Sequence, residues 1–332
     1  MITIVSMNPS IDMTLFIPRL TIGGSHRVRR TRRDISGKAV NTAYALRNLN
    51  QPCQLLGFDF IENGNLLKES LKQADIPYDF VSVNGSIRTN TKIFEEECQR
   101  MTEINQEGFP VSEESVGALF HKVIQSKSDV LILSGSLPQG VDKGIYGEMI
   151  RRIKAKDEAK TTKTKVILDA DGPAMHAGLE AGPYMIKPNH QEMERLVGES
   201  LPSRSLQISA GRDLLRKYGG IELICLSLGG EGALMIGKEE ALFAPPLDIK
   251  VRGIQGAGDA MVAGLAFKLF EFFYLSSSLV SINKPVLSNS SLSELFKSAV
   301  AAAAASLVRE GTLMCTREGF DEMIEKVEIE KV

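Results

Sequence analysis

Cysteine is scarce: Cys53, Cys98, Cys225 and Cys315 are the only four in 332 residues. They stand far apart and form no Cys-x-x-Cys pair, which argues against a zinc site or a disulfide framework and for reduced thiols. The four histidines, His26, His121, His176 and His190, also lack metal-ligand spacing. Charge of one sign is missing too. With 39 basic and 41 acidic residues the formal net charge is −2, so nothing pulls the chain toward nucleic acid or an anionic membrane. The longest apolar run, "AVAAAAASLV", is about half of what a membrane-spanning helix needs. The opening segment "MITIVSMNPSIDMTLF" has no basic n-region and breaks its apolar run at Asn8 and Asp12, so no secretion signal is read and a cytoplasmic location is expected. No internal repeat stands out. What remains is a globular protein with small-molecule partners.

Short β-branched runs alternate with longer amphipathic stretches along most of the chain. "ITIVSM", "CQLLGF", "DVLILSG", "TKVILDA", "PYMIKPN" and "ELICLSLGG" read as buried strands, with helices expected near 39–49, 64–74, 112–126, 142–154, 203–218 and 259–273. Such alternation predicts a largely parallel sheet with helices on both faces. Two regions break the pattern. Residues 12–34 and 79–98 alternate apolar and polar at period two, with Gly23-Gly24 and Asn84-Gly85 as turn signals. They are expected to form a small β-sheet inserted into the α/β domain, as a lid over a site or an interface with a second subunit. The α/β domain itself would comprise residues 1–11, 35–78 and 99–332. Polar tracts around Lys160 and Ser281 read as surface insertions.

In an open parallel sheet, ligands bind at the carboxyl ends of the strands. There this chain places "SGSLPQG", "DADGP", "KPNHQE" and "SLGGEG", a single lip of small, polar and charged residues. The sharpest segment is "IQGAGDAMVAGLAF". Gly256 and Gly258 permit backbone geometries closed to other residues, and Asp259 opens an apolar-periodic helix. The bare N–H groups of a helix start attract phosphate or developing negative charge. Asp259 is there either as a plain N-cap or as a base that takes a proton from an alcohol. Neither GxxxxGK[ST] nor a GxGxxG after the first strand is present, so the familiar P-loop and dinucleotide schemes do not apply.

Nine strings in order, "MNPSID", "SGKAVN", "IRTNTKI", "LSGSLPQGV", "ILDADG", "IKPNHQE", "LSLGGEGAL", "GAGDAMVAG" and "REGT", resemble the PfkB-type carbohydrate kinases of the ribokinase-like superfamily. The resemblance covers nearly the whole chain and points to the branch of 1-phosphofructokinase and tagatose-6-phosphate kinase. It implies a three-layer α/β/α fold with a mostly parallel central sheet and a small β-sheet lid. It also implies ATP and Mg²⁺, and a homodimer joined through the lids. Asp259 would be the base, with the backbone of Gly256, Ala257 and Gly258 stabilising the transferring phosphoryl group. Lys187 would face the nucleotide phosphates, Asn189 and Glu192 would hold magnesium through water, and Ser227, Gly229 and Gly232 would form the nucleotide loop. The adenine would rest between "APPLDIKVRG" and the Ala-rich helix near Ala302. Asp12 and Asn41 would hold sugar hydroxyls, and Ser136 would lie near the phosphate already on the sugar. Arg27, Lys38 beside Gly37, and Arg88 would grip that phosphate. Arg29, Arg30, Arg32 and Arg33 remain a solvated basic surface.

The family's sugar loop is usually Gly-Gly-Lys-Gly, whereas this chain has Ser36 and Ala39 at its ends. Any of these positions that needs positive φ would be strained. Ala260 replaces a common serine, and Gln255 stands where a small residue usually precedes the catalytic turn. The expected activity is therefore phosphorylation of a ketohexose monophosphate. Fructose 6-phosphate, an unphosphorylated sugar or nucleoside, and a non-catalytic binder remain as alternatives.

Overall fold

The apolar run Ile2–Ser6 forms strand β1, buried along its whole length. It lies between β4 (Cys53–Phe60) and β8 (Val130–Ser134), parallel to both. In the computed structural model, which describes residues 1–158, 163–274 and 289–332, these strands belong to a ten-stranded sheet. Beyond β4 comes β5 (Tyr78–Val83), also parallel. Beyond β8 follow β9 (Lys165–Asp169), β10 (Met185–Ile186) and β11 (Leu223–Ser227), again parallel. The far edge turns antiparallel through β12 (Ala233–Ile236), β13 (Ala241–Ala244) and β14 (Glu330–Lys331). Chain direction along the sheet reverses at β1, which makes its carboxyl end a topological switch point where ligands bind.

Helices α1 (Lys38–Asn48), α8 (Ala257–Tyr274), α9 (Asn289–Leu307) and α10 (Arg317–Lys326) pack in sequence against one another. Helices α3 (Glu113–Gln125), α4 (Ile145–Asp157) and α5 (Gly172–Ala181) form a second group, while α2 (Gly64–Gln73), α6 (His190–Val197) and α7 (Arg204–Lys217) fill the remaining connections. Every stretch expected to be helical is a helix, within a few residues at the ends. Among the described residues no helix is long and apolar enough to cross a membrane. The tracts around Lys160 and Ser281 lie at least partly outside the described residues.

A separate four-stranded sheet is ordered β3-β2-β6-β7, with β2 at Ser10–Ile17, β3 at Arg30–Ser36, β6 at Arg88–Glu95 and β7 at Arg100–Asn105. Its extent differs from the expected 12–34 and 79–98. Tyr78–Val83 joins the main sheet as an edge strand, and the small sheet continues to Asn105. Period-two alternation marks any half-covered strand, so an edge strand of the large sheet and a lid strand look alike. One face of β2 and β6 carries Ser10, Asp12, Thr14, Asn90 and Lys92, all buried. Arg88 on that same face lines a cavity over the main sheet, so the small sheet presents a polar inner surface to the cleft.

Candidate active site

Gly37 ends the first crossing from the small sheet and N-caps α1 with φ +116°. A Cβ there would lie 3.2 Å from Pro9 Cα, so the tight approach to the β1 exit requires glycine. Ser36 and Ala39 both avoid positive φ, so the altered sugar loop carries no strain at either substitution. Ser36 instead brings its hydroxyl to 3.4 Å from the Asn41 amide.

The second turn is Gly256, with φ +76° and the Met314 methyl where a Cβ would sit. It feeds directly into α8, whose first-turn N–H groups have no partner within the helix. Asp259 lies in that turn, buried, and Asn41 Nδ2 donates to its Oδ2 at 2.7 Å. Burial pushes the Asp259 carboxyl up to about 6, and the nearby charge of Asp169 adds to the shift. Lys38, the Asn41 hydrogen bond and Lys187 pull it back only in part.

Asp169 is the centre of this charge cluster and is wholly buried at the end of β9. Its Oδ1 lies 3.1 Å from Lys38 Nζ and 3.5 Å from Lys187 Nζ. Burial opposes ionisation, but the two ammonium groups outweigh it and hold the carboxyl below the usual range. Its Oδ2 has no hydrogen-bond partner. Burial also works against the Lys38 charge, yet Asp169, Glu192 and Asp259 together hold its pKa above the ordinary value. Lys187 Nζ lies 3.3 Å from where a side chain on Gly258 would begin, beside the turn that opens α8.

Asn189 and Glu192 form a capping box. The Asn189 side chain accepts from Glu192 N, and Asn189 N donates to Glu192 Oε2, both at 2.8 Å. The Asn189 amide oxygen spends one of its two acceptor sites on starting α6. Glu192 keeps Oε1 for Lys38, at 3.6 Å. Among the described residues no group of three or more His, Cys, Asp or Glu has metal-binding geometry.

A cavity of about 420 Å³ opens beside this cluster, lined by Gly37, Lys38, Arg88, Ser136, Lys143 and Glu192 among others. Ser136 Oγ accepts from Asn8 Nδ2 at 3.1 Å. Arg88 donates to the Gln106 carbonyl at 3.0 Å. Asp12 does not line the cavity. Its Oδ2 accepts from Lys92 Nζ at 2.6 Å, and its Oδ1 from Asn90 Nδ2 at 3.0 Å and Ser10 Oγ at 3.1 Å. Arg27 is exposed on the β2–β3 connection and does not line the cavity of its own chain. No local pattern in "SHRVRR" fixes where such a connection travels.

Ser227, Gly229 and Gly232 gather elsewhere on the same lip. Ser227 N donates to the Pro188 carbonyl at 3.1 Å and pairs with Asn189 in a parallel bridge, beside the α6 start. A Cβ on Gly229 or Gly230 would meet nothing within 4 Å, so the loop is open at those two residues, while the N–H groups of Leu228, Glu231 and Gly232 donate within it. The 245–253 loop is tied to α9 by Arg252 N donating to the Leu307 carbonyl at 2.8 Å. The unusual Gln255 donates to Glu103 on β7 at 3.3 Å, linking the turn before α8 to the small sheet.

Asp169, Asn90, Lys92 and Lys143 received no role from the sequence. For Asp169 a signal was present, an acid ending an apolar strand at the carboxyl edge.

Residues 4–318 match the family model described as pfkB family carbohydrate kinase. This chain belongs to that family. It is accordingly a carbohydrate kinase with the ribokinase-like fold. The 1-phosphofructokinase of Xanthomonas campestris pv. campestris is 31% identical over 273 residues, covering 80% of this chain and 83% of that protein. The 1-phosphofructokinase of Bacillus subtilis is 30% identical over 266 residues, with 80% and 84% covered. The crystal structure of Escherichia coli phosphofructokinase-2 in complex with potassium superposes with TM-score 0.83 at 23% identity, over 98% of each chain. Thermotoga maritima ribokinase gives 0.72 at 18%, covering 98% of this chain and 99% of its own. Those two likenesses concern the fold.

Proposed function

We propose that this pfkB-family kinase transfers phosphate from ATP to a hydroxyl of a ketohexose monophosphate, with fructose 1-phosphate the first candidate and tagatose 6-phosphate the second. The observation that carries the reading is the pairing of Asp259, a buried carboxyl raised to about 6 at a helix start, with a cavity lined by Lys38, Arg88 and Ser136. The relatives named 1-phosphofructokinase favour the phosphorylated sugar.

In this mechanism Asp259 is ionised near neutral pH and takes the proton of the acceptor hydroxyl as that oxygen attacks phosphorus. Asn41 holds the carboxylate toward the acceptor. The unpaired N–H groups of Ala257 and Gly258, at the positive end of α8, stabilise the charge gathering on the transferred group. Lys187 faces the nucleotide phosphates, and the loop of Ser227, Gly229 and Gly232 cradles them. Arg88 and Ser136 hold the sugar's own phosphate. The four strands β2, β3, β6 and β7 act as the lid.

Magnesium held through water suits Asn189 and Glu192 together, since each keeps an acceptor site beside its capping bond. Glu192 is a hard carboxylate on the cavity wall, and a cation that keeps most of its waters would be held by it through water, beside the phosphates. When bound, the ion would neutralise charge on the phosphate oxygens. A lid-to-lid homodimer is supported by β7, exposed at every residue, with Met101 39% and Ile104 57% exposed on a sheet edge.

An ADP-release assay across fructose 1-phosphate, fructose 6-phosphate, tagatose 6-phosphate, ribose and adenosine tests the reading. Turnover confined to phosphorylated ketohexoses is expected. Silence on all three would overturn it. Sedimentation of the wild type against Ile104→Asp tests the lid dimer, which predicts a shift to monomer.

A further inference from the structure

The lining of the cavity includes five charged side chains: Lys38, Arg88, Lys143, Asp171 and Glu192. Lys38 is spent on Asp169 and Glu192, at 3.1 and 3.6 Å. Asp171 is matched from outside by Arg195 at 2.9 Å. Arg88 makes hydrogen bonds to carbonyl and amide oxygens and forms no ion pair, and Lys143 forms no hydrogen bond or ion pair among the described residues. Two uncompensated cations therefore remain. One stands on strand β6 of the small sheet, the other on the connection between β8 and α4.

That connection is a built loop. Gly140 turns it at φ +82°, Val111 N donates to the Gln139 carbonyl at 2.9 Å, and Gly144 N donates to Asp142 Oδ1 at 2.7 Å. Lys143 stands between Asp142 and Gly144, so its backbone is fixed while its side chain is free to reach into the cavity. Ser136, whose hydroxyl is oriented by Asn8, belongs to the same loop.

From this arrangement we infer that Lys143 is a specificity-determining residue that binds the acceptor's phosphate monoester together with Arg88 and Ser136. The inference rests on the sugar-phosphate kinase reading above and deepens it. A phosphate monoester carries about −1.5 to −2 charge at pH 7, which two unpaired cations neutralise and one does not. Lys38 is already shared between Asp169 and Glu192, so much of its charge is spent before a phosphate arrives. Arg27, the other basic residue expected to hold the phosphate, does not reach the cavity of its own chain.

The test is steady-state kinetics of Lys143→Met and Lys143→Arg in the full-length enzyme, with Arg88→Ala alongside. Loss of one charge-assisted hydrogen bond predicts that Lys143→Met raises KM for fructose 1-phosphate about 10- to 100-fold, with KM for ATP unmoved. Salt should inhibit this variant less steeply than the wild type, and Lys143→Arg should recover most of the loss. A KM for fructose 1-phosphate within about twofold of wild type, or a change in KM for ATP alone, would overturn the assignment. If the wild type used none of the phosphorylated ketohexoses, the functional reading would fall first and take this assignment with it, an outcome visible before any variant is made.

Discussion

Asp12 in the lid and Asp169 at the edge of the main sheet are both carboxylates removed from water, yet they are satisfied in different ways. Asp12 has one ammonium, Lys92, and two neutral donors, Asn90 and Ser10, so both oxygens are engaged. Asp169 faces two ammonium groups on one oxygen and leaves the other without a partner. A third carboxyl, Asp259, stands close enough for Asp169 to raise its pKa. The lid cluster is electrically closed, which suits a surface that must hold its shape. The sheet cluster is unbalanced on its own, and that imbalance together with burial lifts the Asp259 carboxyl to about 6.

The sharpest way to break the comparison is Asp259→Asn. Losing the base should cut kcat by about 10²- to 10⁴-fold while leaving ATP binding, read by calorimetry, nearly intact. Unchanged turnover would remove Asp259 from the chemistry. Next in size is the closed cluster. Lys92→Met strands the Asp12 charge and should cost about 3–5 kcal/mol in denaturant unfolding, with Asp12→Asn/Lys92→Met recovering much of it. A single variant as stable as wild type would show the pair to be open to water.

The third test uses the sign of the Asp259 shift. Its pKa is higher in the folded protein, about 6, than the ordinary 3.8, so protonation favours the fold. That stabilising contribution is full below about 3.8 and is lost as pH rises through about 6. Asp259→Asn should thus gain up to about 3 kcal/mol over wild type at pH 8 and nothing at pH 3.5. Wild-type kcat should fall about tenfold per unit below pH 6. Smaller again is Arg88→Ala, expected to raise KM for the sugar phosphate about 10-fold or more with little change for ATP. An effect on ATP alone would misplace the acceptor pocket. Gln255→Val, which removes an exposed hydrogen bond between lid and catalytic turn, should change stability by less than about 0.5 kcal/mol.

Much of this was legible in the sequence because apolar period and strand-end chemistry are local. The run "KVILD" has to be a buried strand, and "GAGD" before an apolar-periodic stretch has to be a helix start. What escaped depends on neighbours far along the chain. Tyr78–Val83 and Arg88–Glu95 share one alternation, but only the packing of β4 decides that the first joins the large sheet. Lys92 lies in a string read for Arg88, and its partner is 80 residues earlier. Glu95 opens the acidic run Glu95-Glu96-Glu97, yet it is buried and accepts from Leu20 N at 3.0 Å. The Asn189-x-x-Glu192 spacing is also that of a reciprocal helix cap, which becomes visible only once α6 is seen to begin at His190.

That cap gives Glu192 two unrelated duties on its two oxygens. Oε2 is tied to the chain entering α6, and Oε1 faces Lys38. A change at this one side chain would loosen the first turn of a helix and release a lysine toward Asp169 in the same stroke. The resulting loss of activity would look like a lost metal, although part of it would be a backbone that no longer holds its entry angle and a lysine left with one carboxylate fewer.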